Sequence, residues 1–126
     1  MTELNTILKQ MADDIPGVVA MGVVGMDGLA LAHHSTSSEF DIEVASAQFA
    51  LVMKLVQKTS DHLRDSEVED NLVTTKKSYM LTRFLGDGSY YIGIAASKEH
   101  ANLGNMRLIA RNYADTLWEA IPKRKK

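Results

Sequence analysis

Histidine side chains are the first residues in this chain that could carry out chemistry, as metal ligands or proton carriers. His33 and His34 are neighbours in a predicted strand and therefore point to opposite faces, while His62 and His100 lie far away in the sequence. A zinc site needs three or four ligands at one point, and the sequence has 0 cysteines. The pattern therefore predicts no metal site, and a chain without cysteines is typical of a reducing cytoplasm.

Three further patterns suggest reactive or ligand-binding groups but fit structural roles better. Gly86-Asp87-Gly88 lies between two predicted strands, where a hairpin turn is expected, whereas a phosphate-binding turn requires a following helix. Glu67 and Glu69 lie in a polar stretch without the apolar surroundings that acid–base catalysis uses. The serines after the histidines lack the glycine-flanked turn that presents a nucleophile. We therefore expect no catalytic residues, no cofactor and no enzyme activity.

Length and composition predict one domain. The chain has 126 residues, a hydrophobic content of 45% and a net charge of −2 with both signs interspersed. This charge argues against a nucleic-acid binder, and no apolar run approaches the roughly 20 residues of a membrane-spanning helix. We expect one domain over residues 1–121 and a basic tail over 122–126, which contains KRKK.

The first part of the chain predicts a helix followed by a hairpin. Apolar residues recur at helical spacing until a Pro-Gly pair ends the helix. Val18–Gly25 is apolar on both faces, which predicts a central strand with helices on both sides. Asp27-Gly28 predicts a two-residue turn with a positive φ at Gly28, and Leu29–His33 is the returning strand.

A stretch without proline or glycine, Glu39–Arg64, predicts a long helix with two apolar stripes. The stripe expected to lie on the sheet contains Ile42, Ala45, Phe49, Val52, Val56 and Leu63. The other contains Val44, Ala47, Leu51 and Leu55, and the residues expected to face water are Glu43, Ser46, Lys54, Gln57 and Asp61. A monomer's surface helix needs one apolar stripe, so the second stripe predicts a twofold homodimer. The alternative is that the chain's own termini cover it.

The second half predicts three strands and a closing helix. The strands are Glu69–Lys77, Tyr79–Leu85 and Tyr90–Ser97, and the helix runs up to Pro122. The first of these strands is the most polar, which is typical of a sheet edge, although it could also pair with its twin across a dimer axis. We therefore add Leu72 and Thr74 to the predicted dimer interface. The resulting fold is α+β, a five-stranded antiparallel sheet flanked by helices in the order α-β-β-α-β-β-β-α.

Three stretches together resemble the roadblock/dynein light chain family in its short prokaryotic form. They are IPGVVAMGVVGMDGLALA near the start, the long helix after the serine-rich loop, and HANLGNMRLIARNYADTL near the end. The resemblance runs from Leu4 to Ile121. It implies a sandwich that forms homo- or heterodimers, in which the long helices pack together and edge strands join two sheets. It also implies a platform for small Ras-like GTPases or an adaptor subunit of the dynein motor, with no active site. The best-known bacterial member of the family stimulates GTP hydrolysis by a partner GTPase that sets cell polarity, and the resemblance implies a similar role here.

The function predicted from sequence is therefore that of a cytoplasmic, non-catalytic, dimeric regulator or scaffold that binds a small Ras-like GTPase and can stimulate its GTP hydrolysis. Gln48, Lys54 and Lys58 are the predicted partner-binding residues, because they are polar side chains in or beside the apolar surface of the long helix. Gln48 could instead form a hydrogen bond across the dimer axis. The alternative functions are a small-molecule-binding sensor domain and an adaptor subunit of a larger motor or signalling complex.

Overall fold

One five-stranded antiparallel sheet organises the computed structural model, which describes residues 2–64 and 66–122. The elements are α1 (Thr2–Asp13), β1 (Val18–Gly25), β2 (Ala30–Ser35), α2 (Ile42–Leu63), β3 (Asn71–Thr74), β4 (Ser78–Leu85), β5 (Tyr90–Ser97) and α3 (Leu103–Ala120). The strands lie in the order β2-β1-β5-β4-β3. The predicted α+β class, the element order and the edge position of β3 are confirmed. Of the predicted basic tail, Lys123–Lys126 lie outside the described residues.

The main core lies between the sheet and the pair of helices α1 and α3. Every second residue of a strand points to this side, so Met21 and Val23 of β1 meet Ile92 and Ile94 of β5 there. The helices contribute fully buried side chains at helical spacing, which are Leu4, Leu8 and Met11 from α1 and Met106 and Leu117 from α3. This layer explains why α1 and α3 each need only one apolar stripe.

Helix α2 covers the other face of the sheet through a much smaller core. Its most buried residues are Ser46, Ala50 and Met53. The prediction that Ser46 faces water is wrong, because Ser46 is only 4% exposed and its backbone carbonyl accepts a hydrogen bond from the Tyr91 hydroxyl at 2.9 Å. Burial raises the pKa of Tyr91 above its ordinary value. Tyr91 of β5 is only 1% exposed and packs in this smaller core together with Ala50 and Met53.

The stripe of α2 that was predicted to lie on the sheet lies instead at the margin of this contact. Its members are half-buried, except for Leu63, which is 72% exposed. The helix is therefore rotated from the predicted orientation, with Ser46, Ala50 and Met53 facing the strands. Hydrophobic periodicity could not anticipate this, because it weights a side chain by its apolar character and not by the space available to it.

The β1–β2 turn differs from the predicted two-residue turn. It has three residues, Met26, Asp27 and Gly28, because the Gly25 N–H donates to the Leu29 carbonyl at 3.0 Å. Gly28 has φ +90, as predicted, and its N–H donates to the Gly25 carbonyl at 2.8 Å. The Asp27 carboxylate accepts the Leu29 N–H at 3.1 Å, so β2 begins later than predicted. A positive φ at the third loop residue is the usual requirement of such a hairpin.

The bounds of α2 and β3 also differ from the predicted ones, and local hydrogen bonds explain where each element begins or ends. Helix α2 begins later than predicted because Asp41 is its N-cap, and its carboxylate accepts the Val44 N–H at 3.0 Å. Strand β3 is shorter than the predicted Glu69–Lys77 at both ends. At its C-terminal end, the Thr75 hydroxyl accepts the Ser78 N–H at 3.0 Å and begins the turn to β4. No helix in the described part of the chain combines the length and apolarity needed to cross a bilayer.

Candidate interaction surface on the long helix

The predicted second stripe of α2, Val44, Ala47, Leu51 and Leu55, lies at the surface; we call it the α2 stripe. Val44 is 56% exposed, Leu51 is 60% exposed and Leu55 is 65% exposed, and Ala47 is exposed as well. Pro122 and the other described terminal residues therefore do not cover it. Aligned large apolar side chains at this level of exposure are typical of a protein interface rather than of a solvated surface.

Polar residues continue the α2 stripe along the same line of the helix. Positions 44, 48, 51, 55, 58 and 62 alternate in steps of four and three, which is the spacing of a helix seam that packs against another helix. Gln48 lies inside this line between Val44 and Leu51, and Lys58 follows Leu55. Lys54 lies beside the line, and all three polar side chains are exposed. The predicted partner-binding residues thus share the surface of the predicted dimer contact.

The other predicted interface residues, Leu72 and Thr74, belong to the edge strand β3. Leu72 is half-buried and packs against the core shared with α1 and α3, whereas Thr74 is exposed. The structure therefore does not bring Leu72 together with the α2 stripe, which lies over the opposite face of the sheet. Helix α2 and β4 are linked by the Thr82 hydroxyl, which donates to the Met53 sulfur at 3.1 Å.

The β1–β2 turn supports α2 at the middle of the α2 stripe. A Cβ added to Gly28 would lie 3.3 Å from the Cα of Ala47. This close approach adds to the positive φ of Gly28 in favouring glycine at the tip of the turn. A larger residue there would push the turn away from Ala47 and disturb the surface that the helix presents.

Neither of the two described concavities is built like a small-molecule site. The cavity between α2 and the sheet has a volume of about 40 Å³ and mostly apolar walls, while ligand sites usually measure roughly 300–1,000 Å³. A depression of about 890 Å³ beside β2 is open to solvent, and most of the polar side chains that line it, including His33, Glu39 and Asp41, are exposed. Among residues 2–64 and 66–122, no group of three His, Asp or Glu side chains could hold a metal ion.

Comparison with solved structures identifies the fold. Myxococcus xanthus MglB superposes with a TM-score of 0.83 over 94% of this chain and 94% of that chain, at 13% sequence identity. A Roadblock/LC7 domain from Streptomyces avermitilis gives 0.81 over 91% and 94%, at 13% identity. The chain has the Roadblock/LC7 fold. A third similar structure, an MglB with a tetrameric arrangement, gives 0.84 over 94% of this chain and 87% of that chain, at 13% identity. No protein-family profile and no curated protein sequence matches the chain.

Two arginines of this Roadblock/LC7 fold are held by contacts within the chain. Arg107 forms a bidentate ion pair with Asp70, with an Nε–Oδ2 distance of 3.0 Å and an Nη2–Oδ1 distance of 3.2 Å. Arg83 donates from Nη1 to the Glu69 carbonyl at 3.2 Å. Both contacts fasten the segment before β3 to the body of the domain. An arginine that is engaged in this way is poorly suited to reach into another protein's active site.

Proposed function

We propose that the chain is a non-catalytic dimeric regulator whose dimer binds a small Ras-like GTPase. The observation that carries the proposal is the α2 stripe, a row of aligned apolar side chains that the described part of the chain leaves exposed. The Roadblock/LC7 fold and the MglB structures similar to this chain support a regulator, and one of them is an MglB with a tetrameric arrangement. The 0 cysteines and the absence of an apolar run of membrane-spanning length in the sequence agree with a location in the cytoplasm.

The proposed dimer buries the α2 stripes of two copies against each other across a twofold axis. A continuous helix seam with large side chains at Val44, Leu51 and Leu55 removes more apolar surface from water in this way than a scattered set of the same residues. Gln48 lies within the seam, where it can form a hydrogen bond to its twin or to the GTPase. The two packed α2 helices would then present one continuous surface that includes residues of both copies.

The GTPase contacts this double surface at Gln48, Lys54 and Lys58. Their polar groups border apolar side chains, an arrangement that gives an interface its specificity. We expect any stimulation of GTP hydrolysis to come from positioning groups of the GTPase; of the four candidate arginines, Arg83 and Arg107 already have contacts within the chain. A donated arginine would be worth about 10³–10⁵ in rate, so its absence is readily tested.

Affinity capture from native lysate tests the proposal. Tagged wild-type chain is compared with a Lys54→Glu/Lys58→Glu variant, with a GTP analogue or GDP added, and captured proteins are identified by mass spectrometry. Lys9→Glu is the control, because Lys9 is also an exposed lysine but belongs to α1, on the other side of the sheet. We expect a Ras-like GTPase with the wild type and the control but not with the double variant, and sedimentation first confirms that the double variant is still a dimer, because Lys58 lies in the seam. Recovery of no GTPase by a dimeric wild-type chain with either nucleotide would contradict the proposal.

The second measurement concerns catalysis by the captured GTPase. Its GTP turnover is measured with saturating dimer that carries alanine at Arg64, Arg83, Arg107 or Arg111, one at a time. We expect any stimulation to survive each substitution that preserves binding. Loss of stimulation with binding intact would make that arginine a catalytic residue and overturn the non-catalytic assignment.

A further inference from the structure

Strand β2 forms the edge of the sheet opposite β3 and directs a specific set of backbone groups outward. The Thr36 N–H donates to the Val19 carbonyl at 2.9 Å, which makes these two residues a hydrogen-bonded pair that continues the β1–β2 ladder. Such pairs alternate along an antiparallel ladder, so His34 also points its backbone groups to β1. The backbone N–H and C=O groups of His33 and Ser35 therefore face the edge, where an added strand can pair with them.

The regular part of the β2 edge is short. The β1–β2 register shifts between Val23 and Val24, so Leu31 is an extra residue that bulges out of the ladder. A bulge at a sheet edge interrupts strand pairing and discourages the association of whole sheets. An incoming strand therefore pairs with β2 only over the few residues that follow Leu31, which favours a short extended segment as the partner.

The depression of about 890 Å³ lies along the α2 side of this edge. His33 and Ser35 point their side chains to that side, because they pair with Gly22 and Ala20, which face α2. Residues 37–43, which lead from β2 into α2, form the rest of its lining. A segment that extends along β2 would place every second side chain in this depression.

Apolar side chains line the depression close to the strand edge. Leu29 is 71% exposed, and Phe40 and Ile42 are half-buried. Such side chains can cover the aliphatic stems of lysine or arginine, whose charged ends reach towards water. The lining therefore suits long side chains with a polar end.

The charge of the depression selects the sign of the partner. Glu39, Asp41 and Glu43 line it, and among the residues that the structure describes no lysine or arginine does. Asp41 is the N-cap of α2, whereas the carboxylates of Glu39 and Glu43 form no hydrogen bond or ion pair within residues 2–64 and 66–122. A second copy of this chain would bring the same carboxylates to the edge and be repelled. A basic segment would be attracted.

We propose that the β2 edge binds a short, basic, extended segment of a partner protein, antiparallel to β2, with lysine or arginine side chains against Glu39 and Glu43. Antiparallel pairing is slightly more stable per residue than parallel pairing. It also points into the depression the side chains of those partner residues that exchange backbone hydrogen bonds with His33 and Ser35. Binding here uses neither the α2 stripe nor the predicted GTPase contacts, so it goes beyond the proposed function and does not depend on it.

A synthetic peptide of about eight residues that alternates lysine and valine is the probe, because all its lysines share one face of a strand. Its binding to the full-length wild-type chain is measured by fluorescence anisotropy. We expect this peptide to bind and a glutamate–valine peptide of the same length not to bind. No saturable binding of the lysine–valine peptide below about 1 mM would overturn the proposal.

A pair of charge variants tests the acidic lining. Glu39→Lys/Glu43→Lys replaces two attractions by two repulsions and should weaken binding of the lysine–valine peptide about tenfold. Asp115→Lys/Glu119→Lys is the matched control, because these two acidic residues have the same spacing and are exposed, but belong to α3 on the other side of the sheet. Circular dichroism confirms that both variants are folded. An equal loss of affinity in both would show a response to net charge alone and would overturn the site.

Methylation of the peptide backbone separates strand pairing from attraction between charges. In the proposed pair, the backbone N–H groups of the lysines face β2 and those of the valines face away. A peptide methylated on the backbone nitrogens of its valines should therefore bind, whereas one methylated on the backbone nitrogens of its lysines should not. The two peptides carry the same charge, so equal affinities, or the reverse order, would overturn the proposed pairing.

Amide hydrogen exchange, followed by NMR, locates the bound peptide on the chain. The amides of His33 and Ser35 should exchange more slowly when the lysine–valine peptide is present, because the peptide then accepts their hydrogen bonds. Protection of Leu72 and Thr74 instead would place the peptide at β3 and overturn the proposal. Protection of His33 and Ser35 that grows with the concentration of the chain alone would show pairing with a second copy and overturn the choice of partner.

Discussion

Replacing Leu51 by aspartate should separate the proposed dimer into folded monomers. Full burial of a leucine side chain contributes roughly 1.5–3 kcal/mol, and Leu51 is 60% exposed in the single chain. About 1–2 kcal/mol therefore remains to be gained by each copy, or about 2–4 kcal/mol for the two copies in a dimer. Leu51→Asp forfeits this gain and also places two carboxylates in the interface. We expect the dimer dissociation constant to rise by about 30- to 1,000-fold.

Sedimentation velocity over a concentration series measures this change directly. Leu63→Asp is the matched control, because Leu63 is 72% exposed on the same helix. At 100° per residue it lies about 120° around the helix from Leu51, outside the α2 stripe. The control should therefore associate as the wild type does, and circular dichroism should find both variants folded. Equal self-association of Leu51→Asp and the wild type would refute the assignment of the α2 stripe to the dimer.

Three further predictions concern stability, each measured by thermal or denaturant unfolding. Gly86→Ala should lower the free energy of unfolding by about 2–4 kcal/mol, because an added Cβ would fall within the Trp118 ring. An unchanged unfolding midpoint would mean that the ring moves aside freely. Gly28→Val should cost about 1–3 kcal/mol because φ is +90 there, whereas Gly28→Asn should be tolerated better. Tyr91→Phe should cost about 1 kcal/mol at neutral pH, since the Ser46 carbonyl loses a donor. Burial raises the folded-state pKa of Tyr91 above 10.0, so its contribution is present below that pH and is lost as the pH rises further. The phenylalanine variant should lose less stability in that alkaline range than the wild type does.

The sequence was sufficient to predict the type and order of the elements. Periods of 3.6 and 2 distinguish helices from strands, and Gly and Pro separate them, so the order of the elements follows from local patterns. The same patterns predicted an interior position for β1, which lies between β2 and β5, because only strands covered on both faces are apolar on both faces. They also indicated that Val44, Leu51 and Leu55 lack a partner in the chain, and the structure leaves these three side chains exposed.

The charged ends of β3 were visible in the sequence as EDNLVTTKK, but the backbone groups that face the open edge of the sheet were not. Their charge alone indicates an edge strand. The β3–β4 register assigns the backbone groups of Leu72 and Thr74 to the open side of the sheet. Which backbone groups face outward depends on pairing with β4, which is a property of the sheet and not of the strand.

What the tertiary structure alone decided is the orientation of α2 on the sheet. The sequence offered two apolar stripes and a polar Ser46, and ranking them by hydrophobicity placed Ser46 in water. In the fold, the helix turns Ser46, Ala50 and Met53 towards the strands, where the buried Tyr91 donates to the Ser46 carbonyl. Periodicity reports how apolar a helix face is, whereas packing depends on the volume that the opposite surface leaves free, and that volume is set by residues 45 positions away in the chain.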